Sequence, residues 1–381
     1  MANSLTGLIP TLYEAMNVVS REMVGFITAV RSDSNAERAA INQVVRVPIG
    51  ESGALEAITA GPAPAATGDT TVGYADVAIT KQYAAPIRWN GEEQKGVGTT
   101  GQFNKVLADQ FADGMRKLVN AVEIDLAAAA YKGASRAYGT AGTAPFGTAS
   151  DFSDFAGVLK ILKDNGSPDT DLQLVLNSTA ISNLRAKQSV LFKVNEAGTN
   201  DMLRNGMTDR IMKMALRESA GLVAVTKGGG MLYVANGASA IGANSITLKT
   251  GSGTLLAGDV VTFAGDTNKY VVGTGLAAPG TMALNKPGLL AALVDSQAMT
   301  IGASFTPNIA FARSAIVLAA RAPAVPEGGD SADDSMMISD PITGLTFEVR
   351  VYRQYRQVKY EICLAWGVSV IKSEHIVNLL G

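Results

Sequence analysis

An α+β fold is predicted for this 381-residue chain, on three observations. Toward the C-terminus two stretches alternate apolar and polar residues with the two-residue period of half-buried strands. In the first half one long apolar stripe recurs at helical spacing. Between them lies a glycine-rich, weakly charged stretch in which short apolar runs are separated by turn residues, the pattern of a β-rich module.

From the N-terminus, Leu8, Leu12, Met16, Val19, Met23, Ile27 and Val30 recur every three or four residues, so Ser4–Val30 is expected to be helical. Polar Arg31–Arg38 reads as a connection to a short strand at Val44–Ile49. Gly50–Gly73 is Gly, Ala, Pro and Thr with hardly a large apolar side chain. Loops longer than about 15 residues are uncommon in compact domains unless they serve a function or are disordered. Beyond it Val77, Ile79, Tyr83, Ile87 and Trp89 hold alternate positions, so two strands joined by a long projecting tip are expected. Such a tip has little to bury at home, and a neighbouring molecule is its natural resting place.

Gln102–Lys132 is the strongest helix: Phe103, Leu107, Phe111, Met115, Leu118, Val122 and Leu126 form one stripe, and Gly133 supplies a stop. At the usual rise it is about 45 Å long, which points to an elongated subunit. A second helix is expected over Phe152–Asn165, a buried strand over Leu172–Leu176 and a further helix over Ser178–Lys187. Residues 237–302 hold 11 glycines but only six charges, Lys249, Asp259, Asp266, Lys269, Lys286 and Asp295. Strands are expected there at Ile246–Leu248, Val260–Phe263 and Tyr270–Val272, as a small inserted barrel or sandwich. Ala310–Arg321 is apolar, and an acidic loop expected to be solvated, Glu327–Asp340, comes next. Then Leu345, Phe347, Val349 and Val351 alternate with polar residues, as do Val358, Tyr360, Ile362, Leu364 and Trp366 after a polar turn. This is a hairpin with one buried face. Glu348, Arg350, Lys359 and Glu361 on its other face suit cross-strand or inter-subunit ion pairs.

Composition limits the function classes. The chain is 47% hydrophobic and 17% charged, against about a quarter charged in typical soluble proteins, so surfaces covered by self-association are expected. A net charge of −2 gives no basic footprint for gripping nucleic acid. The first 20 residues carry no basic residue, unlike a secretory signal, and no apolar run is long enough to span a membrane. A single cysteine, Cys363, allows no internal disulfide framework and fits a reducing cytoplasm.

Candidate chemistry is sparse. His375 is the sole histidine, so any histidine triad or multi-histidine metal site would have to use it, and a structural role is the better reading. Cys363 between Ile362 and Leu364 reads as a packing residue. Gly228–Gly230 and Gly251–Gly253 lack the Lys-Ser/Thr of a phosphate loop and read as turns. Asp330, Asp333, Asp334 and Asp340 lack calcium-loop spacing. No catalytic, cofactor or metal site is expected. The competing readings are a carbohydrate- or cell-binding β module and, behind it, an α+β enzyme.

Several segments resemble the major capsid (coat) proteins of tailed bacteriophages, of the HK97-type shell fold and specifically the P22-like coat proteins with an inserted β domain. SLTGLIPTLYEAMNVVSREMVGFITAV (4–30) is similar to that group's N-terminal arm, and NKVLADQFADGMRKLVNAVEIDLAAAAYKGAS (104–135) to its spine helix. LLAGDVVTFAGDTNKYVV (255–272) resembles the inserted domain, and NIAFARSAIVLAARAP (308–323) with residues 340–381 the closing segments. The patches are in the family's order. The resemblance implies an N-terminal arm (1–45), an extended loop hairpin (46–90), the spine helix of a peripheral domain (91–135) and an axial α/β domain (136–236). It further implies an inserted β-barrel-like domain (237–302) and a return to the axial and peripheral domains (303–381).

It also implies pentamers and hexamers tiling an icosahedral shell around double-stranded DNA in the virion, assembled in the host bacterial cytoplasm. The expected partners are further copies of the chain, a separate scaffolding protein, a portal protein and a decoration protein. DNA would be enclosed without sequence-specific binding, and no membrane is involved. No cross-linking motif is present. Inter-subunit contacts are expected at Glu51, Glu56, Pro62 and Asp69 in the loop and at Arg350, Arg353, Arg356 and Lys359 on the C-terminal hairpin.

Overall fold

The computed structural model describes Leu12 and residues 24–49, 73–98, 103–187 and 210–381. Of the helix expected over 4–30, residues 4–11 and 13–23 lie outside these, as do residues 50–72 of the expected loop. The described end of that helix is instead a turn, in which Phe26 O accepts the N–H groups of Ala29 and Val30. The cause is long-range: the N–H groups of Gly25, Phe26 and Ile27 are bonded to the Glu123 carboxylate and are withdrawn from any helical ladder. The adjoining polar connection is itself a strand, β1 (Arg31–Ala39).

β2 (Val44–Ile49) and β3 (Gly73–Ala78) pair antiparallel from Val44↔Ala78 to Ile49↔Gly73. The strand expected to run unbroken from Val77 to Trp89 is split at Ile79–Thr80 into β3 and β4 (Lys81–Asn90). There Ile79 N–H bonds Gln43 O while Thr80 N–H bonds Trp366 O, so consecutive residues serve different partners and the chain turns. Asn90 and Glu93 cap α1 (Gly91–Gly98) reciprocally, each side chain accepting the other's backbone N–H. Then α2 (Phe103–Gly133) runs for 31 residues, within a residue of expectation at either end.

After β5 (Arg136–Tyr138) come α3 (Ser153–Asp164), β6 (Leu172–Leu176) and α4 (Ser178–Lys187), capped by Asn177 Oδ1 on Ala180 N–H. β7 (Arg210–Ile211) and β8 (Met214–Glu218) are next in the chain. The glycine-rich part supplies β9 (Val234–Ala235), β10 (Ser245–Lys249), β11 (Val260–Phe263), β12 (Lys269–Thr274), β13 (Thr281–Leu284) and β14 (Met299–Ile301). The chain closes with β15 (Pro307–Ala312), β16 (Ile316–Pro323), β17 (Asp334–Ser339), β18 (Thr346–Gln354), β19 (Gln357–Val370) and β20 (Ile376–Leu380).

One sheet has the order β1-β16-β19-β18-β17, with β4 also on β19. β4 pairs Gln357–Trp366, β18 pairs Gln357–Cys363 and β16 pairs Ala365–Val370. Residues shared between partners place β16 and β18 end to end on the edge of β19 opposite β4. Along this sheet lies α2, in the direction of β19. Trp89, opposite Val358, donates Nε1–H to Gln110, Phe111 meets Tyr360 edge to face, and Asp125 accepts Nε1–H of Trp366. Gly133 reaches Val370, whose side chain fills the space a Cβ would need. A helix of about 46 Å and a strand of about 48 Å match in length, so one buried stripe serves one buried strand face. Leu107, Phe111, Met115, Leu118 and Leu126 thus meet Leu318, Phe347, Ile362, Leu364 and Trp366 in the largest core. The opposite face carries a smaller core in which Val47, Val77 and Ile79 meet Val317, Ala319 and Ala365.

The second sheet runs β7-β8-β6-β15-β20-β5-β12-β13-β10-β9, with β11 on β12 and β14 on β11. α3 and α4 cover β6, β15 and β20 through Phe155, Val158, Leu162, Ala180 and Leu184. Strands β9–β14 surround an apolar cluster of their own with Tyr233, Phe263, Tyr270 and Met282. They are nonetheless laddered to the rest, since β12 pairs with β5 at Lys269↔Ala137 and Tyr270↔Arg136. The two glycine clusters lie side by side here. Gly230 N–H bonds Thr254 O, and any Cβ on Gly253, at φ +84°, would strike the Gly229 backbone.

Two further expectations need correcting. The C-terminal hairpin, expected to bury one face, is also covered on its charged face, where Glu348 is 0% and Arg350 9% exposed beneath β1 and the 324–333 connection. The acidic stretch is solvated over its first part, Glu327–Asp333, but not at its end, and its aspartates are tied. Asp340 is buried and caps its own turn by accepting the N–H groups of Ile342 and Thr343 and the Thr343 hydroxyl, and Asp330 and Asp333 are paired with arginines.

Candidate assembly surface

The elements that reach beyond the cores are the β2–β3 hairpin, the tip of β18–β19 and the outer side of β4. Among the described residues the first pairs only with itself, and two-stranded hairpins are marginal in water without a covering surface. Its base is held by Val47, Val77 and Ile79, while Val44 and Tyr74 stay exposed and Arg46 and Asp76 form an exposed cross-strand pair at 3.4 Å. Glu51, Glu56, Pro62 and Asp69 lie outside the described residues.

On the C-terminal hairpin the structure places the four basic candidates in different settings. Arg350 donates to Asp330 at 2.8 Å, and its Nε lies 3.5 Å from Glu348. Arg353 pairs with Asp333 at 2.8 Å. Lys359 pairs with Glu361 and sits 5.7 Å above the Tyr352 ring. Arg356 forms the two-residue turn with Tyr355 at φ +57°, and its carbonyl accepts the N–H of Gly91. Three of the four thus have carboxylate partners within their own chain. The turn is left projecting, with Tyr355 92% exposed.

Arg350 belongs to a network the sequence did not disclose. Arg38 on β1 reaches Glu348 with two hydrogen bonds, at 2.6 and 3.1 Å, and also donates to Pro323 O. The hydrogen bond to Glu348 raises the Arg38 pKa despite partial burial. Burial opposes it, but the Ala332 N–H, the Tyr352 hydroxyl and Arg350 hold Asp330 below the usual carboxylate range. Tyr352 is pushed up to about 12 by burial and by its bond to Asp330. The outcome is mechanical: four charged side chains fasten β1, the 324–333 connection and the hairpin together. No local pattern could have found Arg38, because its partner lies 310 residues away.

β4 leaves its second edge unpaired among the described residues and carries Pro86, which has no N–H to offer an added strand. Between this edge and α2 runs an open groove of about 500 Å³, with Tyr83, Arg88, Gln110, Asp113 and Lys117 in its walls. Lys117 is already paired with Asp113 at 2.6 Å. The groove has no convergent nucleophile, base or acid.

Nor do the reactive side chains elsewhere form a site. Cys363 is buried and pushed up to about 12 by burial and by Glu361 and Glu348, which makes it a poor nucleophile. His375 is 8% exposed, with its pKa lowered by burial. Among the described residues no three His, Cys, Asp or Glu side chains are grouped to hold a metal ion. No described helix is long and apolar enough to cross a membrane.

No protein-family model matches the chain, and no curated protein sequence matches it. Among solved structures, the fold is similar to a chain from Mycobacterium phage Che8, at 11% identity and TM-score 0.45, over 96% of this chain and 87% of that one. It is also similar to a chain in the capsid structure of the cyanophage P-SCSP1u, at 11% identity and TM-score 0.46, over 92% and 86%. A third is a virus-like particle from Pyrococcus furiosus, at 9% identity and TM-score 0.42, over 97% and 96%.

Proposed function

We propose that this chain is a coat subunit that assembles, through copies of itself, into the closed shell of a tailed-phage-type head. The observation that carries the proposal is the β2–β3 hairpin, which among the described residues is laddered to nothing but itself, and whose strands flank residues 50–72, a sequence with hardly a large apolar side chain to bury at home. Ordered segments reproduced on every copy gain stability by lying on a neighbour. Each contact can be modest, because a subunit touching several neighbours accumulates affinity as multivalent binders do. Head-to-tail contacts close when the rotation between copies allows it. The order of the resembling segments, arm, loop, long helix and closing strands, supports the same reading.

In the finer reading the rings are pentamers and hexamers in an icosahedral lattice, double-stranded DNA is enclosed without being gripped, and separate scaffolding and portal proteins direct assembly. A net charge of −2 fits a container better than a DNA clamp. Deletion of residues 61–69 tests the proposal. The variant should remain folded and soluble, yet form no shells by negative-stain microscopy with or without the scaffolding partner. Normal shells from the deletion would refute the hairpin's role.

A further inference from the structure

The rim of the first sheet opposite β4 is made of β1 and β17, which lie end to end because their partners β16 and β18 do. An edge strand offers its outward N–H and C=O groups to any other strand, and folds blunt such edges with proline, bulges, charges or brevity. Each other terminal strand of the two large sheets is blunted. β1 carries a bulge between Ser34 and Arg38 and the charges of Arg31, Asp33, Glu37 and Arg38. β4 carries Pro86, β7 and β9 have two residues each, and β14 has three. β17 has six residues in unbroken register with β18, no proline, no glycine and one charged side chain, Asp334 at its start.

The register decides which groups are left over. β18 and β19 close on the two-residue turn with Gln354 opposite Gln357, so the even-numbered residues of β18 bond β19 and the odd-numbered ones bond β17. Odd residues of β18 face even residues of β17, as in Asp334↔Val351 and Ile338↔Phe347. The ladder continues in the same phase with Asp340 N–H on Leu345 O at 2.8 Å. The backbone groups of Ser335, Met337 and Ser339 therefore point away from the sheet, without a backbone partner among the described residues. Ser335 N–H meets only the exposed Asp334 carboxylate beside it, at 2.9 Å.

We propose that β17 pairs with β17 of a second copy, antiparallel across a two-fold axis through Met337. Met337 then lies opposite its own counterpart and Ser335 opposite Ser339 of the other copy. All three outward residues are used, for about six backbone hydrogen bonds. Asp334 lies outside these pairs, so they oppose no like charges. Opposite residues share a parity, which keeps the face of Met336 and Ile338, turned to the α2 core, continuous from one copy to the next. The same patch meets itself, as an isologous contact requires. The chain's other strands are poor substitutes: the terminal strands are blunted, and the outer strands of the β2–β3 hairpin carry Pro48 and Gly73. The pairing rests on the shell reading only in that copies of the chain meet.

Cross-linking of the full-length protein under assembly conditions tests it. Met337→Cys sets two sulfurs across the axis at a Cα spacing of about 5.5 Å, which a disulfide accepts. Cys363 is buried, so the unmodified protein is a silent control. Mild oxidation should link Met337→Cys into dimers. Ser335→Cys and Ser339→Cys should give none alone, and dimers when the two are assembled together. Met337→Pro removes an N–H that β18 does not use. It should abolish a slowing of about tenfold or more in hydrogen exchange at residues 335–339 of the associated protein, while β18 stays protected. No dimer from Met337→Cys would overturn the pairing, and particles that form all the same would leave the shell reading standing without it. Slow exchange at 335–339 in a chain that gives no cross-link would put another part of the same chain on this edge and overturn it too. If Met337→Cys does not fold, the joint assembly of Ser335→Cys and Ser339→Cys decides.

Discussion

Replacing Glu348 by alanine isolates the physics that holds β1 to the sheet. Glu348 is fully buried and takes two hydrogen bonds from Arg38, whose own side chain is 32% exposed. Breaking a buried pair by removing one partner costs about 3–5 kcal/mol when the orphaned charge stays buried. Arg38 can partly rehydrate, and Arg350 keeps Asp330 at 2.8 Å, so the expected loss is smaller, about 2–3 kcal/mol. Glu348→Gln retains shape and one acceptor and should lose about 1–2 kcal/mol. Urea unfolding monitored by tryptophan fluorescence is the natural assay, since Trp366 lies on β19 beside β16. A cycle with Arg38→Met apportions the coupling, which should exceed about 1 kcal/mol. If Glu348→Ala stays within about 0.5 kcal/mol of the unmodified protein, the network is a solvated surface feature and the reasoning fails.

Gly367 lies where β3 passes into β4, and a Cβ there would collide with the Ala78 carbonyl oxygen. Gly367→Ala should therefore cost about 3 kcal/mol or more, and protease cleavage should show the β2–β3 hairpin loosened first. His375 is held neutral by burial, its pKa lowered from the ordinary 6.5. The unfolded chain protonates first as pH falls, so stability should decline below about pH 6.5, the loss ending once pH passes the lowered folded value. His375→Phe should flatten that part of a thermal-melt profile. At the other extreme, Tyr355→Ala should leave the melting temperature of the single chain unchanged, since Tyr355 is 92% exposed. A shift of several degrees would show that the tip is packed after all.

Elements whose burial pattern is local were legible in the sequence alone. The α2 stripe and the alternation of β18 and β19 each repeat with the period of one regular structure, and β6 is a short, mostly apolar run buried throughout, so a short window carries the signal. Features that depend on distant partners were set only by folding. Arg31–Ala39 has no strand periodicity and becomes a strand because β16 offers a parallel edge and Glu348 a buried partner. Residues 26–30 form a turn in place of the expected helix because Glu123, nearly a hundred residues on, takes the amide protons a helix would need. The acidic stretch stays exposed around Asp330 and Asp333, but that Arg350 and Arg353 pair with them was set only by folding. Periodicity reports which face of an element is buried. It does not report which charge waits on the other side, and there the three-dimensional arrangement decides.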